Sequence, residues 1–234
     1  MEAQAIENID AIAFDLDGTL IDSAGGIAHA LNAALADEGL PSFELDTVRA
    51  WIGDGPDALI ARALATRDSG ADAKEALAAR LRHGFDAATL RAPMAGSRVF
   101  DGIREVVAEL ARQRPLVVIT NKPTLLARAV LGEAGLLALF ESVHGADTPA
   151  QRKPSPWLLR QAAAALGVAQ QHLLMVGDAA VDIAAALAAG SPAVWAGWGY
   201  GHAPAQTLVA VRRLANPHEL LLALTKPVDT ASEH

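Results

Sequence analysis

Four short apolar runs, each cut off by a polar residue or glycine, constrain this chain more than any other feature. Ala11-Ile12-Ala13-Phe14 stops at Asp15, and Leu116-Val117-Val118-Ile119 stops at Thr120. Leu173-Leu174-Met175-Val176 stops at Gly177-Asp178, and Pro192-Ala193-Val194-Trp195 runs into a glycine-rich stretch. Continuously apolar runs of this length suit strands buried on both faces, the usual state of strands in a parallel sheet. Helical patterns lie between them: Ile103 to Arg112, Thr124 to Glu133, Pro156 to Leu166 and Ile183 to Ala189. Gly135, Gly167 and Gly190 stand where helix C-caps belong. The alternation predicts an α/β fold with a doubly wound, mainly parallel sheet.

The stretch from Asp22 to about Ala92 breaks the alternation. It reads as four helices, Gly26–Glu38, Leu45–Trp51, Pro56–Thr66 and Ala73–Leu90, with breaks at Gly39-Leu40-Pro41, Gly53-Asp54-Gly55 and Asp68-Ser69-Gly70. The predicted organisation is a core formed by residues 1–21 and 93–234, with residues 22–92 inserted after the first strand as a small all-helical domain. Composition agrees, since 52 of the 234 residues are alanine and only ten are aromatic. Alanine favours helices and fills a core poorly. The segment after Lys226 is expected to fray.

Several function classes drop out. The net charge is −8 with no basic run, so no nucleic-acid partner is expected. The absence of cysteine excludes disulfides, thiolate zinc sites and a cysteine nucleophile. Met1 to Asp10 carries no signal-peptide pattern, and no apolar stretch reaches the length of a membrane span, so a cytoplasmic location without a membrane partner is expected. The seven histidines show no metal-ligand spacing.

In open α/β sheets ligands bind beyond the carboxyl ends of the strands. Three such ends carry Asp15, Asp17, Gly18 and Thr19; Thr120, Asn121 and Lys122; and Gly177, Asp178 and Asp182. Asp15 and Asp17, two apart, project to one side, and Gly18 lets the backbone turn away. Asp178 and Asp182, four apart, are expected on one face of the helix they open. Clustered carboxylates repel unless a cation separates them, and an oxygen-rich, histidine-poor site suits Mg²⁺. Lys153, ahead of a helix, supplies a point positive charge. Taken singly, each piece has an ordinary explanation, as a turn, a helix cap or a solvated lysine. Together, in this order and at these ends, they form a site.

These residues resemble the motifs of the haloacid dehalogenase-like superfamily: Asp15-Leu16-Asp17-Gly18-Thr19 the first, Thr120 the second, Lys153 the third, and Gly177-Asp178 with Asp182 the fourth. Phe14 to Ser23, Val48-Arg49-Ala50-Trp51-Ile52-Gly53-Asp54-Gly55, Thr120-Asn121-Lys122-Pro123, Lys153-Pro154-Ser155-Pro156 and Trp198-Gly199-Tyr200-Gly201 resemble its phosphoglycolate phosphatase branch. The resemblance implies a small helical cap and a Mg²⁺-dependent phosphatase working through an aspartyl phosphate. Asp15 would be the nucleophile and Asp17 the general acid and base. Thr120 and Lys153 would stabilise the transferring phosphoryl group. The implied metal set is Asp15, Asp17 (through its carbonyl), Asp178 and Asp182, with Asp182 orienting Lys153 or a metal-bound water. Thr19, Asn121, Lys122, Arg49, Gly53 and Gly55 are expected at the substrate. Arg49 would meet a substrate carboxylate, and the two glycines would let their loop come close. Trp51 is expected in the core of the cap, and Trp198 and Tyr200 beside the site or simply packed. The expected partner is a small phosphorylated metabolite, 2-phosphoglycolate first, and the expected assembly a monomer or homodimer.

Asp17 argues against a dehalogenase, whose halide leaving group needs no proton, and Thr19 against a sugar-phosphate mutase. The branch commonly has Pro-Asp at Gly25-Gly26, Asn at Asp54, and Ser then Asn or Thr within Ala179-Ala180-Val181. The last change is expected to weaken Mg²⁺ affinity. The Asp54 charge is expected to disfavour an anionic substrate. Alternatives are a phosphatase for N-acetylmuramate 6-phosphate or pyrophosphate and a β-phosphoglucomutase-like isomerase. A response-regulator-like receiver is a further alternative, but its acids follow another order.

Overall fold

The computed structural model describes residues 8–65, 71–201 and 211–224. The expected break at Asp68-Ser69-Gly70 and the tail after Lys226 lie outside the described residues. The strands are β1 (Ala11–Phe14), β2 (Ile21–Asp22), β3 (Arg98–Val99), β4 (Leu116–Thr120), β5 (Ser142–Gly145), β6 (Leu173–Gly177), β7 (Ala193–Ala196) and β8 (Arg212–Leu214). The helices are α1 (Ala24–Asp37), α2 (Leu45–Arg49), α3 (Pro56–Ala65), α4 (Ala71–Arg91), α5 (Ile103–Ala111), α6 (Thr124–Glu133), α7 (Trp157–Leu166), α8 (Ala180–Ala189) and α9 (His218–Leu224).

Six strands form one parallel sheet in the order β5-β4-β1-β6-β7-β8. Successive side chains of a strand point to opposite faces, and this sheet is covered on both. Ile12, Phe14, Val118, Leu174 and Val176 pack with residues of α5, α6 and α9 on one face. Ala11, Ala13, Val117, Ile119 and Met175 pack with residues of α7 and α8 on the other. The four apolar runs are therefore the four inner strands. The two edge strands, β5 and β8, do not register as apolar runs. An edge strand needs no continuous apolar character, and in β8 the exposed Arg212 and Arg213 discourage pairing with another chain. The helix α9, also unforeseen, packs Leu220 and Leu224 onto the first face.

The helices α1 to α4 lie between β2 and β3, which pair antiparallel, Ile21 with Val99 and Asp22 with Arg98. That two-stranded ribbon joins the helical segment to the sheet. Leu31, Leu35, Val48, Leu59, Ile60, Leu81 and Phe85 form a separate apolar cluster there, which also takes in Leu126 of α6. Small residues let α1 and α4 approach closely, since a Cβ on Gly84 would stand 3.0 Å from that of Ala34. The glycine pair Gly25-Gly26 serves packing as well. A Cβ on Gly25 would come within 2.3 Å of the Gly96 carbonyl, and one on Gly26 within 2.2 Å of Ser97 Oγ. Among the described residues no helix is long and apolar enough to cross a membrane.

Candidate active site

The carboxyl end of β1 continues through Asp15 into a tight loop that doubles back at Gly18, whose φ of +95° favours glycine. Space demands glycine too, because a Cβ there would lie 2.3 Å from Asp178 Oδ2. Asp178 is also crowded by Gly199 and Gly201, where a Cβ would meet Asp178 atoms at 2.4 and 1.8 Å. Its Oδ1 accepts the Thr19 hydroxyl at 3.0 Å and its Oδ2 the Gly201 N–H at 3.0 Å. Thr19, expected at the substrate, is fully buried and gives its hydroxyl to Asp178.

Lys153 reaches the same point from the loop before α7. Its ammonium donates to Asp15 Oδ1 at 2.7 Å, Asp182 Oδ1 at 2.6 Å and the Ile119 carbonyl at 2.9 Å, one acceptor for each hydrogen. Asp182 accepts the Ala179 N–H with its other oxygen at 2.9 Å, so both oxygens have protein partners. The expectation that Asp178 and Asp182 share a helical face is corrected. The helix α8 begins at Ala180, leaving Asp178 in the loop, and the loop fold brings the two acids together. Among the described residues, Asp15, Asp178 and Asp182 are a group that could hold a metal, with ligand atoms within 4.8 Å of one another. Asp17 stands apart by its carboxylate, both oxygens of which lie 3.1 Å from Lys122 Nζ.

The electrostatics follow from burial. Three carboxylates cluster here and Lys153 pairs with two of them, so one ammonium leaves two negative charges uncompensated if all three ionise. Burial pushes the Asp15 carboxyl up to about 7, opposed by Lys153 and reinforced by Asp182 and Asp17. Burial likewise pushes Asp178 up to about 8, with repulsion from Asp15 and Asp182 adding to it. Burial alone would depress Lys153, but Asp15 and Asp182 more than offset it and hold the ammonium above its ordinary value. Hard oxygen donors with this excess charge fit a divalent cation such as Mg²⁺.

Thr120 is buried, accepts the Lys122 N–H at 3.2 Å, and lines a cavity of about 40 Å³ with Asp15, Asp17 and Lys122. Ile27, Trp51, Leu59 and Phe85 close that cavity from the helical segment. A wider cleft of about 320 Å³ adjoins it, lined by Asp17, Asp178, Arg49 and Tyr200. Ile52 and Gly53 line both spaces, so the loop between α2 and α3 is their partition. Gly55 of that loop has φ +85°, and a Cβ there would come within 2.8 Å of the Asn121 carbonyl. Arg49 pairs with Asp46 at 3.0 Å and is partly exposed at the cleft.

Asn121 lines the smaller cavity, but its side chain is engaged by protein groups. It accepts the Lys153 N–H at 2.7 Å and donates to the carbonyls of Gly53 at 2.9 Å and Lys153 at 3.2 Å. Trp51 stacks edge-on against Phe43, with ring centroids 5.0 Å apart, and also lines the cavity. Trp198 donates to the Thr19 carbonyl at 2.9 Å, and Tyr200 shares a hydrogen bond with Ser23 at 3.1 Å. Arg62, which sequence reasoning passed over, pairs with Asp54 and donates to the Trp51 carbonyl at 2.6 Å. The Asp54 charge is thus compensated within its own loop region.

A family model for haloacid dehalogenase-like hydrolases matches residues 9–190. The chain belongs to this family. Among curated relatives of this hydrolase, the phosphoglycolate phosphatase of Photorhabdus laumondii is 39% identical over 207 residues, covering 86% of each chain. That of Rhodospirillum rubrum is 41% identical over 204 residues, covering 86% of this chain and 85% of its own. The crystal structure of a predicted phosphoglycolate phosphatase from Haemophilus somnus 129pt superposes with a TM-score of 0.84 at 29% identity, covering 93% of this chain and 99% of that one. For a hydrolase of this family, the acids at the ends of β1 and β6 and the lysine before α7 are where sequence placed them. Thr19 and Asn121, expected at the substrate, hold Asp178 and the Lys153 backbone with their side chains, while Ser23 and Arg62, given no role by the sequence, brace Tyr200 and the Asp54 loop. The structure sets Gly199 and Gly201 of the glycine-rich stretch against Asp178, a closeness the sequence did not place.

Proposed function

We propose that this hydrolase is a Mg²⁺-dependent phosphatase of small phosphomonoesters, with 2-phosphoglycolate as the first substrate. The observation that carries the reading is Lys153 joining Asp15 to Asp182 beside Asp178, with Asp17 across the adjoining cavity. The curated relatives named phosphoglycolate phosphatase support the substrate.

Asp15 attacks phosphorus, forming an aspartyl phosphate as the ester oxygen leaves. Asp17, in its protonated form, gives the departing alkoxide its proton and then takes one from the water that attacks the phosphorus of the intermediate, releasing phosphate and freeing Asp15. Lys153 and Thr120 stand where the transferring oxygens gain charge. Asp15, Asp178 and Asp182, with the Asp17 carbonyl, would hold Mg²⁺, which supplies charge neutralisation at the phosphoryl group. Asp182 acts mainly by orienting Lys153. Residues 22–92 serve as a cap on the core formed by 1–21 and 93–234, and the cap excludes water. Arg49 meets the substrate carboxylate from the cleft, and Gly53 and Gly55 let the partition loop approach. The enzyme works in the cytoplasm, as a monomer or homodimer.

The test is phosphate release from 2-phosphoglycolate, N-acetylmuramate 6-phosphate, pyrophosphate and β-glucose 1-phosphate, with Mg²⁺ and with EDTA. Metal-dependent release strongest on 2-phosphoglycolate supports the reading. Strong release from another ester keeps the mechanism and reassigns the substrate. No release from any, with β-glucose 1-phosphate turning into glucose 6-phosphate, replaces the phosphatase with an isomerase.

A further inference from the structure

The loop that carries Lys153 is gripped from two directions. From the core, the Asn121 side chain brackets the Lys153 residue, accepting its N–H at 2.7 Å and donating to its carbonyl at 3.2 Å. The same amide also donates to the Gly53 carbonyl of the helical segment at 2.9 Å. An asparagine amide has two hydrogens, and both are used. From the helical segment, Asp57 in the first turn of α3 pairs with Arg152, the neighbour of Lys153. Asp57 also pairs with Arg82 on α4, which fixes it to the body of the helices. Residues 152 and 153 therefore span the gap. One side chain reaches the helical segment, and the other reaches Asp15 and Asp182.

Asn121 is 4% exposed. If the loop at Gly53 lifted while Asn121 stayed, a buried amide donor would lose its acceptor, which is costly. Lifting that loop therefore pulls on Asn121, whose side chain also holds the Lys153 backbone. Loss of the Asp57 pair would release Arg152 at the same time.

We propose that Asn121 and Arg152 are positioning residues that couple the seating of the helical segment to the placement of Lys153 on Asp15. The site's charge pattern is then complete only when that segment is down. The kinetic consequence rests on the phosphatase reading; the mechanical coupling does not.

The test is amide hydrogen exchange on the full chain, comparing wild type with Asp57→Asn, Gly55→Ala and Asn121→Asp. Asp57→Asn removes the pair with Arg152 and Gly55→Ala presses the helical segment off the Asn121 carbonyl; neither touches Lys153, yet each should speed exchange at Lys153 and Ser155 by about tenfold or more. Asn121→Asp removes both donors and sets a carboxylate against two carbonyls. It should speed exchange at 52–55 and at 152–155 together. It should lower kcat by about tenfold to a hundredfold while KM moves less, and adding Asp57→Asn should cost little more. Exchange that rises only beside each substitution, with Lys153 still protected, overturns the proposal. So does a double variant whose losses multiply. Should Gly55→Ala fail to fold, Asp57→Asn on the partly exposed surface carries the same arm. A wild-type chain that releases no phosphate counts against the phosphatase reading, and the exchange result still decides the coupling.

Discussion

Asp182→Asn isolates the buried ion pair at the centre of the site. At pH 5 without metal, Asp15 and Asp178 carry protons because burial has pushed them to about 7 and about 8. The Asp182–Lys153 contact, 2.6 Å long and with side chains 0% and 2% exposed, is then the salt bridge that the substitution removes. An asparagine has one oxygen for two jobs. Turned to Lys153, it sets its NH₂ against the Ala179 N–H; turned to Ala179, it sets the NH₂ against the ammonium. Breaking a buried pair from one side costs about 3–5 kcal/mol. Lys153 keeps the Ile119 carbonyl and can draw the proton from Asp15, so the low end applies, about 3 kcal/mol. At the thermal midpoint of a chain this long, that corresponds to a fall of roughly 6–12 °C. At pH 8.5 the loss should shrink, because removing Asp182 then relieves repulsion on Asp15 and Asp178. The assay is urea and thermal unfolding in EDTA at both pH values. Asp101→Asn serves as the control; the Asp101 side chain is fully exposed, and losing its contact with Arg98 should move nothing measurable. A loss below about 1 kcal/mol at pH 5, or one that grows with pH, refutes the reasoning.

Three further outcomes are expected. Gly18→Ala forces a Cβ onto Asp178 Oδ2 at a φ of +95°, so it should destabilise the chain by about 1–3 kcal/mol and weaken Mg²⁺ binding measured by calorimetry; unchanged metal affinity would contradict this. Without metal, Asp15 and Asp178 keep their protons in the folded chain over a range where the unfolded chain loses them. Their contribution to stability therefore falls as pH rises from about 4 to about 8 and then levels off. The midpoint in EDTA should drop across that range, Mg²⁺ should restore more stability at pH 8 than at pH 5, and Asp178→Asn should flatten the trend. Equal Mg²⁺ effects at both pH values would rule this out. Arg62→Ala leaves the Asp54 charge uncompensated beside the partition loop, so KM for 2-phosphoglycolate should rise about two- to fivefold with kcat nearly unchanged; a KM that stays put would show that Asp54 does not face the substrate.

What the sequence disclosed, and what it hid, divides on locality. The inner strands β1, β4, β6 and β7 were legible because burial on both faces writes a continuous apolar run. The edge strands β5 and β8 were not, since an edge strand can carry Ser142, His144, Arg212 and Arg213. Asp15, Lys153, Asp178 and Asp182 were legible as a set because a parallel sheet gathers its carboxyl ends. Which group each would touch was not. The Thr19–Asp178 bond spans 159 residues, and Lys122 meets Asp17 across 105. Thr19 and Asn121 sit where substrate contacts were expected, and their side chains hold the site's own parts. The Gly25-Gly26 departure from the family pattern is explained only by the return turn at Ala95 to Ser97, which no local reading could place.

The central claim is that Asp15 takes the phosphoryl group. It is tested most directly by quenching the enzyme in acid during turnover of 2-phosphoglycolate with Mg²⁺, reducing with borohydride, and sequencing the peptide that contains residue 15. An acyl phosphate there is reduced to homoserine, and the account predicts homoserine at position 15 only when substrate and Mg²⁺ are both present, with none in Asp15→Asn. Turnover that continues in Asp15→Asn, or a trapped phosphoryl group on any other residue, would contradict it.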